Sequence, residues 1–201
     1  MKYEGLVISE SNTKLGRIYN WSVDKRRTCA MQCPGCYAGK GHHNQPSVRN
    51  ARTINTNACM ENLEDVENKL MEFFKEYRPS FFRIHEEGDF YSVPYAQMWY
   101  RIMAMNQPCQ FNIFTKSYDI VKAVPFYNLK NCHLFLSSWI GLEIPADLRE
   151  KYPVAWFIDK KGFETRYPEK VHLCPGSKLT CLKCQWCFGR GNNQDVGLRE
   201  H

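Results

Sequence analysis

Long hydrophobic runs are absent from this sequence of 201 residues. No run approaches the roughly 18 apolar residues that a membrane-spanning helix needs, so we expect no membrane segment. The first residues, MKYEGLVISES, also lack the apolar core of a secretory signal peptide. Repeats and low-complexity segments are absent too, and the 43% hydrophobic content is that of an ordinary globular protein. We therefore expect a soluble, intracellular protein.

Acidic residues are in the minority, with 21 Asp and Glu against 27 Lys and Arg, which gives a net charge of +6. The excess is spread along the chain, and Lys25–Arg27 is its one short cluster. This distribution is typical of a solvated surface. An anionic partner such as nucleic acid is a weaker alternative.

Ten cysteines need an explanation other than disulfides, because intracellular compartments keep thiols reduced. Metal binding is the first candidate. A three-cysteine set consists of Cys29, Cys33 and Cys36. A four-cysteine set consists of Cys174, Cys181, Cys184 and Cys187. The isolated cysteines, which we expect to be small buried side chains, are Cys59, Cys109 and Cys132.

Between the two sets, apolar runs that suit strands alternate with segments of helical period. Residues 62–77 place apolar side chains on one face, and Asn62 with Asp65 is typical of a helix start. The predicted strands are 16–23, 80–87, 111–117, 133–139 and 154–160. The predicted helices are 62–77, 93–106, 118–124 and 145–152. Strict alternation predicts an α/β fold of parallel strands joined by right-handed crossovers, either open or curled into a partial barrel.

Polar residues follow four of the predicted strands, at His85–Asp89, Thr115–Ser117, Ser137–Ser138 and Asp159–Lys160. Ligands in parallel α/β folds bind at the carboxyl ends of the strands, so these groups should line a single mouth. Ordinary turn residues are the alternative, and this alternative suits Asp159 and Lys160 best. It suits His85–Asp89 least, because three acids and a histidine together are costly unless they bind something.

The three-cysteine set has the spacing C-x3-C-x2-C and lacks a fourth thiol. Thiolates select zinc or iron–sulfur clusters, and structural zinc sites are closed by four ligands. A cubane [4Fe-4S] cluster on three cysteines leaves one iron open to a small molecule. A zinc site completed by His42 or His43 stays open as the alternative.

C-x3-C-x2-C in the loop after the first strand of an α/β chain resembles the radical S-adenosylmethionine (SAM) superfamily. The resemblance implies a partial (β/α) barrel of about five to six parallel strands. It also implies that the open iron chelates SAM, and that an electron from the cluster cleaves SAM to a 5′-deoxyadenosyl radical. On this resemblance, the catalytic candidates at the mouth are His85 and Lys116. The candidates for contacts with SAM or substrate are Tyr37, Glu86, Glu87, Asp89, Ser117 and Ser138.

The sequence differs from the superfamily pattern at two places. Gly35 precedes the last cysteine, where an aromatic residue is common. The second strand ends in Glu86-Glu87-Gly88-Asp89 rather than in a Gly-Gly-Glu-like motif.

A second resemblance covers most of the chain. The blocks KLGRIYNWSV…TC…CYAGKG, RIHEEGDFYSVPYAQMW, FNIFTKS and LSSW occur in this order. They are similar to the phage protein family named for gene product 88, which is largely uncharacterised. A phage origin implies the cytoplasm of the host cell as the location.

The four-cysteine set combines C-x2-C-x2-C with a Cys-Pro pair at Cys174. Ferredoxins use these two elements in the opposite order to bind a [4Fe-4S] cluster. We predict an auxiliary cluster here, shielded from solvent by Trp186 and Phe188. The alternatives are a four-cysteine zinc site and one larger assembly that joins both cysteine sets.

The leading hypothesis is therefore an iron–sulfur enzyme of radical SAM type with two [4Fe-4S] clusters and SAM as its cofactors. Residues 1–170 would form the partial barrel and 171–201 a small cysteine-rich extension. The expected partners are a reducing protein such as flavodoxin or ferredoxin, and a macromolecular substrate that covers the mouth. Two alternatives stay open. One is a non-SAM iron–sulfur protein for electron transfer or redox sensing, and the other is a zinc-stabilised phage protein that binds nucleic acid.

Overall fold

The alternating segments build a sheet that is layered against helices. The computed structural model describes residues 1–33, 36–158, 168 and 171–199. The strands are β1 (Lys2–Tyr3), β2 (Leu6–Val7), β3 (Ser9–Asn12), β4 (Gly16–Trp21), β5 (Phe81–Ile84), β6 (Gln110–Thr115), β7 (Cys132–Ser137), β8 (Val154–Ile158), β9 (His172–Leu173) and β10 (Val196–Arg199). The helices are α1 (Lys25–Thr28), α2 (Pro46–Glu61), α3 (Leu63–Tyr77), α4 (Val93–Met105), α5 (Tyr118–Ala123), α6 (Ala146–Arg149) and α7 (Cys181–Cys184).

The main sheet has eight strands in the order β3-β4-β5-β6-β7-β8-β10-β9. Every neighbouring pair from β4 onward is parallel, and β3 pairs with β4 in antiparallel fashion. The sheet is larger than the predicted set of five to six parallel strands. The difference arises because β9 and β10, from the cysteine-rich region, extend the sheet beyond β8. These strands are too short to show a period in the sequence.

The predicted helices are confirmed, and α2 is an addition. Asn62 Oδ1 accepts a hydrogen bond from the Asp65 amide at 3.0 Å, which caps α3 as its sequence predicts. The sequence did not reveal α2 because its buried face is largely polar and includes Arg52, Asn55 and Thr56. A helix with this kind of face has no apolar stripe to detect.

The two faces of the sheet pack against different layers. One face, with Trp21, Phe82 and Ile113, packs against α2–α6 in the main core. The opposite face, called the inner face here, packs against the cysteine-rich region, where the Phe188 ring lies 5.4 Å from the Phe81 ring. The region that holds the four-cysteine set is therefore bound to the sheet itself.

The isolated cysteines are confirmed as small core side chains, since Cys59, Cys109 and Cys132 are all buried. All ten cysteines are free thiols. Within the part of the chain that the structure describes, no helix has the length and apolar character needed to cross a membrane.

A polar network lies inside the main core. Trp21 Nε1 donates a hydrogen bond to the Tyr95 hydroxyl at 2.9 Å. The same hydroxyl lies 2.9 Å from His85 Nε2, within hydrogen-bond distance. One hydroxyl thus satisfies two buried ring nitrogens.

Replacing Tyr95 with Phe removes that hydroxyl and leaves both nitrogens without this partner. We expect the free energy of unfolding to fall by about 1–3 kcal/mol, the usual cost of an unsatisfied buried group. Anaerobic urea denaturation measures the change. Tyr127→Phe, at a half-exposed ring, is the control and should change stability by less than about 0.5 kcal/mol. Equal stability of the Tyr95→Phe variant and the parent would contradict the role of this network.

Candidate metal centre

The carboxyl ends of β4 and β5 lie in unusually close contact. The Val23 amide donates a hydrogen bond to the Glu87 carbonyl at 3.2 Å. A Cβ atom on Gly88 would lie 2.5 Å from Val23 Cγ2 and 2.6 Å from the Val23 carbonyl oxygen. Gly88 also has a φ of +86°, which favours glycine. The two strand ends can approach this closely because position 88 has no side chain.

This contact places the first cysteine. Asp24 accepts a hydrogen bond from the Arg26 amide at 3.0 Å and so caps α1. The Asp24 amide is itself held by Thr56 Oγ1 of α2 at 2.8 Å. Cys29 follows α1 directly, and its amide donates to the Lys25 carbonyl at 3.0 Å. A helix of one turn thus carries the chain from the end of β4 to the three-cysteine set.

The thiols of the three-cysteine set lie close enough to interact electrostatically. The pKa of Cys29 is raised to about 12, chiefly by burial and then by the neighbouring Asp89, Cys36 and Cys33, whereas Lys116 opposes the shift. Burial also raises the pKa of Cys33, and Lys116 again opposes the shift. Metal binding here must displace protons, since thiolates are the ligands.

Asp89 connects the ends of two strands. Its carboxylate accepts hydrogen bonds from Thr115 Oγ1 at 2.6 Å, the Lys116 amide at 2.8 Å and the Phe90 amide at 2.8 Å. Burial raises the pKa of Asp89, and these three hydrogen bonds oppose the shift. The Asp89 side chain therefore links the end of β5 to the end of β6 inside the mouth.

The other two acids of this strand end contact different groups. Glu87 is buried and forms an ion pair with Arg52 of α2. Burial raises the pKa of Glu87, while Arg52 lowers it. Glu86 is partly exposed and accepts a hydrogen bond from Asn12 Nδ2 at 2.6 Å.

His85 lies away from this cluster of polar groups. Its backbone is left-handed, with a φ of 61°. Its ring stacks on Tyr95 and is 2% exposed. Burial lowers the pKa of His85 to about 3, so the ring is neutral. The His85 ring therefore packs in the helix layer. Its catalytic role stays a prediction.

Lys116, Ser117 and Ser138 do lie at the carboxyl edge of the sheet, as the sequence predicts. Lys116 Nζ lies 5.3 Å from the centre of the Trp139 ring. Ser117 Oγ donates to the Phe90 carbonyl at 2.6 Å. Ser138 Oγ accepts from the Phe157 amide at 2.8 Å and connects β7 to β8. The two serines thus connect backbone segments, and the charge of Lys116 acts on the thiols of Cys29 and Cys33.

Four positions named from the sequence lie wholly or partly outside the described residues. Asp159 and Lys160 lie outside the described residues, as does Gly35. Tyr37 begins a 3-10 turn that ends at Gly39, and its side chain is outside the described part. Its contact with SAM stays a prediction.

The histidine pair that could complete a zinc site lies beside an acid. Ligand atoms of His42, His43 and Glu86 lie within 4.8 Å of one another. However, Arg52 Nη2 lies 2.8 Å from His43 Nδ1, and a guanidinium can only donate. The proton of the neutral ring is then on Nε2, which opposes metal binding through that nitrogen.

All four thiols of the second set line one cavity of about 30 Å³. The pKa of Cys187 is raised to about 12, chiefly by burial and in part by Cys174, Cys181 and Cys184. Arg83, from the inner face of β5, lowers the pKa of both Cys187 and Cys181. The sequence reasoning missed Arg83, because an arginine inside a strand carries no signal of a metal centre.

Lys14 holds the loop that precedes this cavity. Its Nζ donates to Cys174 Sγ at 3.3 Å and to the Leu179 carbonyl at 3.4 Å, and it also bonds the Gly176 carbonyl. The Cys181 amide donates to the Lys14 carbonyl at 2.8 Å. The turn before β4 is therefore attached to the four-cysteine set.

The two aromatic residues predicted to shield the second set do line its cavity. The Trp186 ring stacks on His172 with 3.7 Å between ring centres. Phe188 is buried and packs against Leu15 and Ile18. Shielding of a bound cluster stays a prediction.

The two cysteine sets lie at opposite ends of β4. The three-cysteine set follows Trp21, where the strand ends, whereas Cys181 binds the turn before Gly16, where it begins. A strand of this length extends roughly 16 Å at about 3.3 Å per residue. The two cysteine sets therefore lie in separate places along β4.

The distances between the cysteine sulfurs can be compared with those around a single zinc ion. Among the described residues, no three cysteine sulfurs lie within 4.8 Å of one another. Tetrahedral zinc, with Zn–S bonds of about 2.3 Å, places its sulfurs about 3.8 Å apart. The thiols are therefore not arranged in advance as the ligands of a single tetrahedral zinc ion.

Replacing Gly88 with Ala tests the contact that positions the first set. The new Cβ would clash with Val23, so we expect metal content at the three-cysteine set to fall while the four-cysteine set keeps its metal. Iron and sulfide analysis after anaerobic purification measures this loss. Gly141→Ala is the control, because Gly141 also has a positive φ, of +74°, but has no atom within 4 Å of the new Cβ. Equal metal content in the two variants would contradict the role of Gly88.

The family model described as Gene product 88 matches residues 6–161. The chain is 28% identical over 159 residues to the Gene 88 protein of Mycobacterium phage L5, a match that covers 74% of this chain and 63% of that protein. It is 27% identical over 175 residues to the Gene 88 protein of Mycobacterium phage D29, covering 81% of this chain and 67% of that protein. The chain thus spans less than two thirds of the L5 protein. No solved structure matches it.

The matched residues include the three-cysteine set, the acidic end of β5 and the strands β3 to β8. The four-cysteine set lies beyond the match. Since the family model covers more than half of its length, the chain belongs to the gene product 88 family of phage proteins.

Proposed function

We propose that this protein is an iron–sulfur enzyme of radical SAM type, with an open [4Fe-4S] cluster on Cys29, Cys33 and Cys36. The observation that carries the proposal is the position of this set. It follows the first strand of a parallel run and shares its surroundings with Asp89 and Lys116, which follow the next two strands. Three thiolates without a fourth leave an iron that can bind a small molecule.

The strand order supports the partial barrel that this function implies. From β4 to β8 the order in the sheet is the order in the chain. Right-handed crossovers between strands in such an order put all the helices on one face, and α2–α6 do share one core. With the helices on one face, the sheet could curl around the other, and the inner face, which the cysteine-rich region partly covers, would be the interior of the partial barrel.

The acidic strand end supplies the residues that would contact SAM. Glu86 is the partly exposed acid and suits the amino group of the ligand. Asp89 is saturated by hydrogen bonds, and Glu87 is paired with Arg52, so we assign both of them to positioning. Lys116, beside the thiols, favours their ionised form and suits an anionic group of the substrate.

When bound, the open cluster supplies the electron that cleaves the sulfonium of SAM. The four-cysteine set would hold an auxiliary [4Fe-4S] cluster, because four thiols meet at one cavity beside the cation of Arg83. A reducing protein such as flavodoxin or ferredoxin would supply electrons in the host cytoplasm. A macromolecular substrate could cover the mouth itself.

Reduction with dithionite in the presence of SAM tests the activity. Anaerobically purified protein should be brown, absorb near 400 nm and release 5′-deoxyadenosine, which chromatography detects. Two intact clusters with no 5′-deoxyadenosine would favour electron transfer or redox sensing instead. A colourless protein with stoichiometric zinc would contradict both iron–sulfur functions.

Replacing Cys33 with Ala tests the assignment of the open cluster. Iron and sulfide content should fall by about half, because the two sets lie at opposite ends of β4, and 5′-deoxyadenosine should no longer form. Cys109→Ala is the matched control, since this thiol is buried outside both sets and its loss should leave the iron content unchanged. Loss of both clusters in the Cys33→Ala variant would mean that the sets depend on each other.

A further inference from the structure

A cavity of about 230 Å³ lies beside the three-cysteine set, behind the loop that carries it. Ala38, in the 3-10 turn after Cys36, forms part of its wall. The cavity is smaller than the roughly 300–1,000 Å³ of a pocket for a drug-sized molecule, so it suits one compact chemical group. The proposed cluster chemistry does not explain it.

Cations dominate the lining of this cavity. The cations are Lys25, Arg26, Arg49 and Arg52, and the carboxylates are Asp24 and Glu87. Four positive and two negative groups leave a net charge of +2 at neutral pH. His43 also lines the cavity and adds no charge, because burial lowers its pKa to about 4.

Both carboxylates are already engaged by arginines of the lining. Asp24 accepts hydrogen bonds from Arg26 Nε at 2.9 Å and from Arg26 Nη2 at 2.5 Å. Glu87 forms its ion pair with the buried Arg52. Arg52 is further fixed by the His43 carbonyl, at 3.3 Å, and by the His43 ring. The two carboxylates are therefore paired with arginines of the lining and are not available to bind a further cation.

The excess charge resides on Lys25 and Arg49. Arg49 lies one turn before Arg52 on α2, so both guanidiniums project from one face of that helix. Arg49 Nη2 donates to Asn44 Oδ1 at 2.8 Å, which leaves its other donors for a ligand. Among the described residues, Lys25 Nζ forms no ion pair with a carboxylate, since Asp24 pairs with Arg26 and Glu87 with Arg52.

We propose that this cavity binds the phosphate group of a nucleotide or nucleic-acid ligand. An ammonium and guanidinium forks that converge from two elements suit an anion with several oxygens, whereas a carboxylate presents only two. The exposed Arg26 on α1 extends the positive lining outward, as a ligand with further phosphates would need. A phosphate held here would place the rest of the ligand beside the three-cysteine set.

Calorimetric titration of the anaerobically purified protein tests this site, with inorganic phosphate, adenosine monophosphate, a short oligothymidylate and acetate as separate probes. We expect saturable binding of phosphate and no comparable binding of acetate. Lys25→Gln and Arg49→Gln should each weaken phosphate binding by about tenfold, the loss of one charge-assisted hydrogen bond. Lys25→Arg should keep most of the affinity.

Arg27→Gln is the matched control. It removes the same charge from the same helix, but its guanidinium is directed to Asn57 Oδ1 at 2.6 Å and Met60 Sδ, outside the cavity. Its effect on phosphate binding should stay below about twofold, the effect of a screened exposed charge. An equal loss in Arg27→Gln and Lys25→Gln, acetate binding as strong as phosphate binding, or no saturable binding would each overturn the proposal.

The probes also separate the two sources of phosphate. Oligothymidylate that binds more tightly than adenosine monophosphate, and loses affinity in Lys25→Gln, identifies a nucleic-acid backbone. The reverse order identifies a free nucleotide. Since no SAM and no reductant are present, the result is independent of the proposed radical chemistry, and circular dichroism of each variant confirms its fold.

Discussion

The close approach of Val23 to Gly88 is the contact on which the candidate site depends. Backbone and side chain of the β4 end occupy the space that a Cβ at position 88 would need. Two consequences follow on either side of this contact. α1 begins two residues after Val23 and leads to Cys29, while Asp89 follows Gly88 and connects β5 to the end of β6. Thiols from one strand end and polar groups from the next two are therefore held together by backbone, with little freedom to adjust.

Electrostatics at this site are dominated by burial. Desolvation raises the pKa of both Cys29 and Asp89, and the Cys29 thiol, with a pKa of about 12, is protonated at neutral pH. Lys116 acts in the opposite direction on the thiols. A positive metal cluster would reverse the balance, since thiolates beside a cation are stabilised. Metal binding and proton release are thus linked in this arrangement.

The inner face of the sheet gives the two cysteine sets separate surroundings. The three-cysteine set shares its space with Lys116, and the four-cysteine set shares its space with Arg83 and Lys14. Each set therefore has cations of its own, and β4 extends between the two sets. The cysteine-rich region covers the inner face near the start of the strands, with Phe188 as its apolar anchor. The carboxyl ends of the strands form the polar mouth.

The sequence by itself determined the alternation of strands and helices, the buried isolated cysteines, and the polar residues at the strand ends. These depend on local period and composition, as Asn62 at the start of α3 illustrates. It did not reveal α2, because a buried face of Arg52, Asn55 and Thr56 has no apolar stripe. Only the tertiary structure decided that His85 lies in the helix layer, that Glu87 is paired with Arg52, and that β10 joins the sheet. Each of these depends on partners distant in the chain, and a left-handed residue such as His85 reverses the direction that strand alternation predicts.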